Sequence, residues 1–134
     1  MKWFIKCLRQ YADFTGRARR KEYWMFNIYR SLIFLLTIIF CALLAGILSE
    51  TNPKDGLWLV LVPIIVYLLF IIPSLAVAVR RMHDVGHSGW FLFINLIPSI
   101  GSLVYFIFTL FDSQPCENKW GVNPKEKDNN PKSR

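Results

Sequence analysis

The chain has 134 residues, of which 54% are hydrophobic and 19% charged, and its 16 Lys+Arg against 9 Asp+Glu give a formal net charge of +7. One domain fits that length, but the chain is too apolar for a typical soluble domain and too apolar to be disordered over most of its course. Long stretches carry no charge, so the basic residues are segregated rather than spread over a folded surface, which argues against a nucleic-acid partner.

Residues 2–14, KWFIKCLRQYADF, place Lys2, Lys6, Arg9 and Asp13 at helical spacing, with Phe4, Cys7, Leu8, Tyr11 and Phe14 on the other side. This pattern predicts an amphipathic helix lying in the headgroup layer, or alternatively one packed on the other helices. Thr15 and Gly16 break it, and the chain restarts at Arg17. Arg17, Arg19, Arg20, Lys21 and Glu22 follow, then Tyr23, Trp24, Asn27 and Arg30. Cations in the opening turn of a helix oppose its macrodipole, so this group calls for an anion. Lipid phosphate can supply it, positive-inside topology can account for the bias, or a carboxylate from another loop can pair with Arg20 or Arg30.

Three charge-free runs come next: Ser31 to Leu48, Leu57 to Val79 and Trp90 to Phe111. The shortest covers roughly 27 Å as a helix, close to the hydrocarbon thickness. Spans are predicted over about 24–48, 57–79 and 90–111. Asn95, Pro98 and Gly101 make the third the least regular, while Pro63 and Pro73 kink the second.

Between the second and third runs lies RRMHDVGHSG, residues 80–89, with two Arg, two His and one Asp. Asp84 is the only acid there, and the natural partner for Arg80, Arg81, Arg17 or Arg20. Gly86 and Gly89 permit sharp turns, Ser88 can cap the next helix, and Trp24 and Trp90 suit the membrane interface. His83 and His87 are four residues apart, but the glycines and the lack of a third ligand beyond Asp84 argue against a metal. His83, Asp84 and Ser88 could in principle support acid-base or nucleophilic chemistry, although adjacency in a turn does not specify triad geometry. The three cysteines, Cys7, Cys41 and Cys116, show no disulfide or zinc spacing. After Asp112 the chain turns polar, and residues 125–134 are predicted to be disordered.

FTGRARRKEYW from Phe14 to Trp24, RRMHDVGHSGW from Arg80 to Trp90, and NKWGVNP from Asn118 to Pro124 together resemble the hallmark motifs of the bacterial domain-of-unknown-function 805 family. Met82 stands where that family usually has leucine, and Cys116-Glu117 replaces a glycine-rich lead-in. The resemblance implies a small inner-membrane protein without an assigned activity. It marks Phe14, Gly16, Arg17, Arg20, Glu22, Trp24, Arg80, Arg81, His83, Asp84, Ser88, Gly89, Trp90, Asn118, Gly121 and Pro124 as motif positions.

The expected fold is an all-α membrane domain over residues 1–124, with one interfacial amphipathic helix and three transmembrane helices. The expected function is a non-enzymatic module binding lipid or a partner. Arg17, Arg20, Glu22, Arg80, Arg81, His83, Asp84 and Ser88 form its phosphate- or partner-binding cluster, and Trp24, Gly86, Gly89, Trp90, Asn118 and Gly121 serve as anchors and turns. The alternatives are a headgroup-modifying enzyme using His83, Asp84 and Ser88, and a small channel or transporter subunit. No cofactor is expected. The expected partners are anionic membrane lipids, with a second copy or another membrane protein also possible. Three spans with the N-terminus cytoplasmic put nine Lys/Arg inside, yet leave the basic tail outside.

Overall fold

A computed structural model of the chain describes residues 2–49 and 59–129. Leu57 and Trp58, which open the predicted second span, and the last five residues of the predicted tail lie outside the described residues. Helices dominate, and among the described residues the β-type pairing is an isolated bridge between Asn118 and Gly121.

Helix α1 covers Lys2–Arg9 and is shorter than the predicted 2–14. Its continuation is blocked by local side-chain bonds that compete with the helix. Asp13 Oδ1 accepts from the Thr15 amide at 3.0 Å and the Thr15 hydroxyl at 2.6 Å, and Gln10 Nε2 donates to Oδ2 at 3.2 Å. The apolar side of α1 is docked: Cys7 is fully buried and Phe4 stacks on Phe26 at 5.6 Å.

Two helices are long and apolar enough to cross a membrane, α2 over Arg20–Ser49 and α3 over Leu61–Asp84. At 30 and 24 residues they are about 45 and 36 Å long, more than the hydrocarbon layer requires. The start of α2 lies beyond the predicted restart, so Arg17 and Arg19 precede the helix. α3 outlasts its predicted end, so Arg80, Arg81, His83 and Asp84 occupy its last turns instead of a loop. Arg81 and His83 there face the negative end of the macrodipole, which favours cations.

The third apolar run does not form one helix. A 3-10 helix covers Gly89–Leu96, a turn follows, and α4 covers only Ile100–Leu110. Phe91 and Phe108 have ring centroids 4.8 Å apart, whereas 17 residues of straight helix would separate them by about 25 Å. The run therefore doubles back as a hairpin. Pro98 offers no amide to continue a helix, and Ser99 takes φ 63°, a left-handed value uncommon for a residue with a side chain. Gly101 makes the close return possible, since a Cβ there would lie 1.8 Å from the Ile94 carbonyl oxygen. After α4, the chain forms a short helix, α5, over Pro124–Asn129, where composition predicts disorder from residue 125. Asn123 Oδ1 caps it by accepting from the Lys125 amide at 3.0 Å.

The contacts gather the chain into two compact units, one of residues up to Phe26 with those from Pro73 onward, the other Asn27–Ile72. In the second unit the large apolar side chains face outward: Phe40, Leu43 and Ile47 are each about two-thirds exposed. Phe34 and Tyr67 meet with ring centroids 5.8 Å apart. The first unit reverses this, because its largest fully buried side chains are Arg80 and Arg81.

Candidate functional site

The end of α3, the segment before α2 and the segment after α4 meet around Asp84. Arg17 Nε donates to Asp84 Oδ1 at 3.1 Å and Arg81 Nη1 to Oδ2 at 2.5 Å, and all three side chains are buried. Ser113 Oγ donates to Oδ2 at 2.6 Å. The carboxylate is thus saturated by two guanidinium groups and a hydroxyl, as a buried charge must be.

A second carboxylate, Glu22 in the first turn of α2, forms a separate centre. Lys6 Nζ reaches its Oε2 at 2.7 Å, and Arg80 Nη1 reaches Oε1 at 3.3 Å. Arg80 Nη1 also donates to Gln10 Oε1, and the Cys7 thiol lies 3.7 Å from Glu22 Oε1. Burial, followed by the negative charge of Glu22, pushes the Cys7 thiol up to about 12, so it remains a protonated packing group and not a nucleophile. The sequence predicts one cluster, and the structure divides it in two: Arg17, Arg81 and Asp84 in one, Arg80 and Glu22 in the other.

Arg17, Arg19, Arg20 and Arg81 also donate to backbone carbonyls. Arg81 binds the oxygens of Thr109 and Phe111, and Arg20 that of Leu110, so two side chains cap the last carbonyls of α4. Arg17 takes the carbonyls of Gln114, Cys116 and Gly121 at 2.7, 2.9 and 3.2 Å. Arg19 Nη2 takes that of Pro124 at 2.7 Å. Four arginines thereby hold the chain from Thr109 to Pro124 against the start of α2 and the end of α3. At the exposed edge, Asp112 accepts from Arg20 Nη2 at 3.0 Å and Lys125 Nζ at 2.5 Å. The Lys125 hydrogen bond, with the Ser113 amide, holds its carboxyl below the usual range.

His83 serves the same assembly. Its Nδ1 meets the Gly16 carbonyl at 3.2 Å, which can only accept, so the proton sits on Nδ1. Its ring stacks on Trp120 at 4.5 Å, and its own carbonyl accepts from Asn118 Nδ2 at 3.0 Å. The geometry does not assemble His83, Asp84 and Ser88 as a catalytic group. Asp84 is spent on arginines and Ser113, and His83 Nδ1 points at a backbone carbonyl instead of a carboxylate. Ser88 occupies the N-cap of the 3-10 helix, but its hydroxyl makes no capping bond. Gly86, at φ 85°, ends α3 where a Cβ would strike Gln114. Trp24 packs edge-on against Phe106, and Trp90 is exposed and stacked on Phe93.

The motifs 14–24, 80–90 and 118–124 thus meet in space, and the comparison with known proteins matches the same stretch. Residues 11–122 match the family described as "Protein of unknown function (DUF805)". The chain belongs to that family. Among its relatives are Inner membrane protein YhaH of Escherichia coli K12, 38% identical over 93% of this chain and 98% of the relative, and Inner membrane protein YhaI of the same strain. YhaI is 33% identical over 93% of this chain and 97% of its own length. No solved structure matches. Within this family member, sequence reasoning missed Lys6, Gln10, Ser113 and Trp120 as parts of the assembly. A lone Ser or Gln carries no pattern, whereas Trp120 lies inside the third motif and was within reach of the sequence.

Proposed function

We propose that the chain is an inner-membrane protein with two spans and a re-entrant hairpin, both terminal segments lying on the cytoplasmic side. Its buried arginines act as a clamp, and its exposed basic residues meet anionic lipid headgroups. The observation that carries this reading is the grip of Arg17 on the carbonyls of Gln114, Cys116 and Gly121, because it returns the C-terminal segment to the side from which α2 leaves.

Charge counting supports the same arrangement. Seven Lys/Arg precede Tyr23, two follow Val79, and five lie from Lys119 onward, so fourteen of the 16 belong to segments on one side. Arg30 lies within α2, and Lys54 alone falls in sequence between the two spans. This is the bias expected of a cytoplasmic face, and it removes the basic outer tail that three spans would require. The relatives YhaH and YhaI are named inner membrane proteins, which supports a membrane location, and the outward apolar surface of Asn27–Ile72 suits lipid contact. Exposed Lys21, Lys119 and Lys125 at the same face suit lipid phosphates, each basic residue contributing about 1 kcal/mol near an anionic surface.

Cys116 is exposed while Cys7 and Cys41 are buried, so it serves as a native probe of sidedness. A membrane-impermeant thiol reagent is expected to label Cys116 in inverted inner-membrane vesicles and to spare it in intact spheroplasts. Labelling in spheroplasts would restore a third crossing. Cysteines at Phe91 and Phe108 are expected to cross-link in a Cys-free background, and Gly101→Leu to abolish the link.

A further inference from the structure

Polar contacts tie helix α1 to Glu22 and Arg80. Lys6 Nζ reaches Glu22 Oε2 at 2.7 Å, the Cys7 thiol lies 3.7 Å from Oε1, and Gln10, just past the helix, accepts from Arg80 Nη1. Glu22 thereby divides its oxygens, Oε2 to Lys6 and Oε1 to Arg80 Nη1 at 3.3 Å. The division leaves an anomaly. Arg80 Nη2 is buried and has no hydrogen-bond partner among the described residues, and native interiors rarely leave a guanidinium donor so. The unmade bond fits another arrangement of the same side chains. A carboxylate facing Arg80 end-on accepts from Nη1 and Nη2 together, the bidentate geometry a guanidinium favours, and Glu22 takes it by turning Oε2 from Lys6 to Arg80.

We infer that α1 is a detachable arm with two seats, the polar centre at Glu22 and the headgroup layer of an anionic bilayer, and that Arg80 Nη2 is the donor held for the state in which α1 has left. Docked, the arm spends Lys6 and Gln10 on Glu22 and Arg80. When it leaves, Glu22 and Arg80 close on each other, so the polar centre stays paired without it. The arm suits the second seat. Its eight residues place Lys2, Lys6 and Arg9 on one side and Phe4, Cys7 and Leu8 on the other, and Lys2 and Lys6 flank the Trp3 ring at 5.5 and 5.7 Å. A basic face, an apolar face and an indole at headgroup level make an interfacial helix. Release gives up the stacking of Phe4 on Phe26 and the contact of Arg19 with Trp3 at 5.0 Å. Lipid tails are as apolar as a protein core, so the buried side of α1 exchanges one apolar setting for another. Lys6, whose side chain is already 43% exposed, moves from one carboxylate to many phosphates. The joint is residues 11–15, since the Gly16 carbonyl stays on His83 Nδ1 at 3.2 Å. Headgroup layer and helix packing, the two settings that the sequence allows this segment, thus become two states of one arm. The inference rests on the proposed contact between this face and anionic lipid.

The test uses full-length protein carrying Cys41→Ser and Cys116→Ser, which leaves Cys7, on the docked side of α1, as the remaining thiol. It is placed in phosphatidylcholine nanodiscs with or without phosphatidylglycerol. A diazirine on the acyl chain marks residues that enter lipid, a water-soluble maleimide marks a thiol that enters water, and peptide mass spectrometry reads both. Lipid adducts at Cys7 are expected to rise at least about fivefold in the anionic discs, the factor for a basic residue, here Lys6, meeting an anionic surface. Lys6→Gln is expected to remove that dependence on phosphatidylglycerol. Arg80→Lys keeps a charged donor for Glu22 and deletes the reserve, so it is expected to lower the adducts severalfold, whereas a merely structural lesion would loosen the arm and raise them. Absent adducts, or adducts indifferent to phosphatidylglycerol, would overturn the lipid seat, and maleimide labelling in their place would mean release into water and overturn it equally. Unchanged or raised adducts in Arg80→Lys would overturn the reserve role. Should that variant unfold, the carboxyl 13C shift of Glu22 in wild type answers the same question: movement on adding phosphatidylglycerol supports the exchange, and a static shift overturns it. Native mass spectrometry of the same discs separates this inference from the reading it rests on. Phosphatidylglycerol retained without Cys7 adducts removes the arm alone, and failure to retain it removes the lipid contact as well.

Discussion

The two units of this protein solve opposite solvent problems. In Asn27–Ile72 the apolar side chains point outward, and α2 and α3 satisfy their own backbone bonds, as lipid demands. In the other unit Arg17, Arg80, Arg81, Glu22 and Asp84 are inside, and they bond to each other and to carbonyls at the end of α4 and in the segment after it. Buried irregular backbone has to find donors, and here the guanidinium groups provide them. The contrast teaches that a buried arginine in such a protein need not signify an anionic ligand.

The largest expected effect comes from breaking the polar unit at its centre. Asp84→Asn leaves Arg17 and Arg81 buried without a counter-charge, and is expected to cost about 3–5 kcal/mol in a chemical-unfolding series in detergent. A double-mutant cycle with Arg81→Gln should recover part of that loss, and strict additivity would deny the coupling. The apolar unit should respond to the opposite insult. Leu43→Lys, on an outward-facing position of α2, is expected to add about 3–4 kcal/mol to the apparent insertion free energy, while Leu43→Phe should change it by only a few tenths. An insertion assay that ranks the two alike would remove α2 from the lipid. The smallest effect lies at the exposed edge, where Asp112 has a depressed carboxyl. Its folded-state pKa lies below the unfolded value, so its contribution is present above the ordinary aspartate range and disappears as pH falls through the folded value. The melting temperatures of wild type and Asp112→Asn should therefore differ slightly at neutral pH and converge in strong acid.

Much of the framework is legible in the sequence, and the rest is hidden for identifiable reasons. Charge-free length reveals the two long helices, since crossing hydrocarbon requires it. The same criterion gives one helix over 90–111, where the run forms a 3-10 helix and a short α4 that double back. Pro98 and Gly101 mark the irregularity without revealing the fold-back, which depends on the Ser99 conformation and on the approach of Gly101 to Ile94. Sequence also foresees that Asp84 needs an arginine, as the lone acid among cations. It does not foresee that Arg17, Arg19, Arg20 and Arg81 donate to carbonyls, because every residue brings a carbonyl and none is distinctive. The division of the charges between Asp84 and Glu22 is hidden too, since it depends on Lys6 and Gln10, whose spacing from Arg80 carries no pattern.

The clamp has an evolutionary consequence. Its acceptors at Leu110 and Cys116 are main-chain oxygens, and both side chains are exposed, so either residue can be exchanged for many others without loosening a guanidinium. Length is another matter. One residue inserted between Phe111 and Asn118 shifts the oxygens that Arg17 meets while leaving those of Arg81 where they are. Among related chains this stretch should therefore drift in letters while keeping its count.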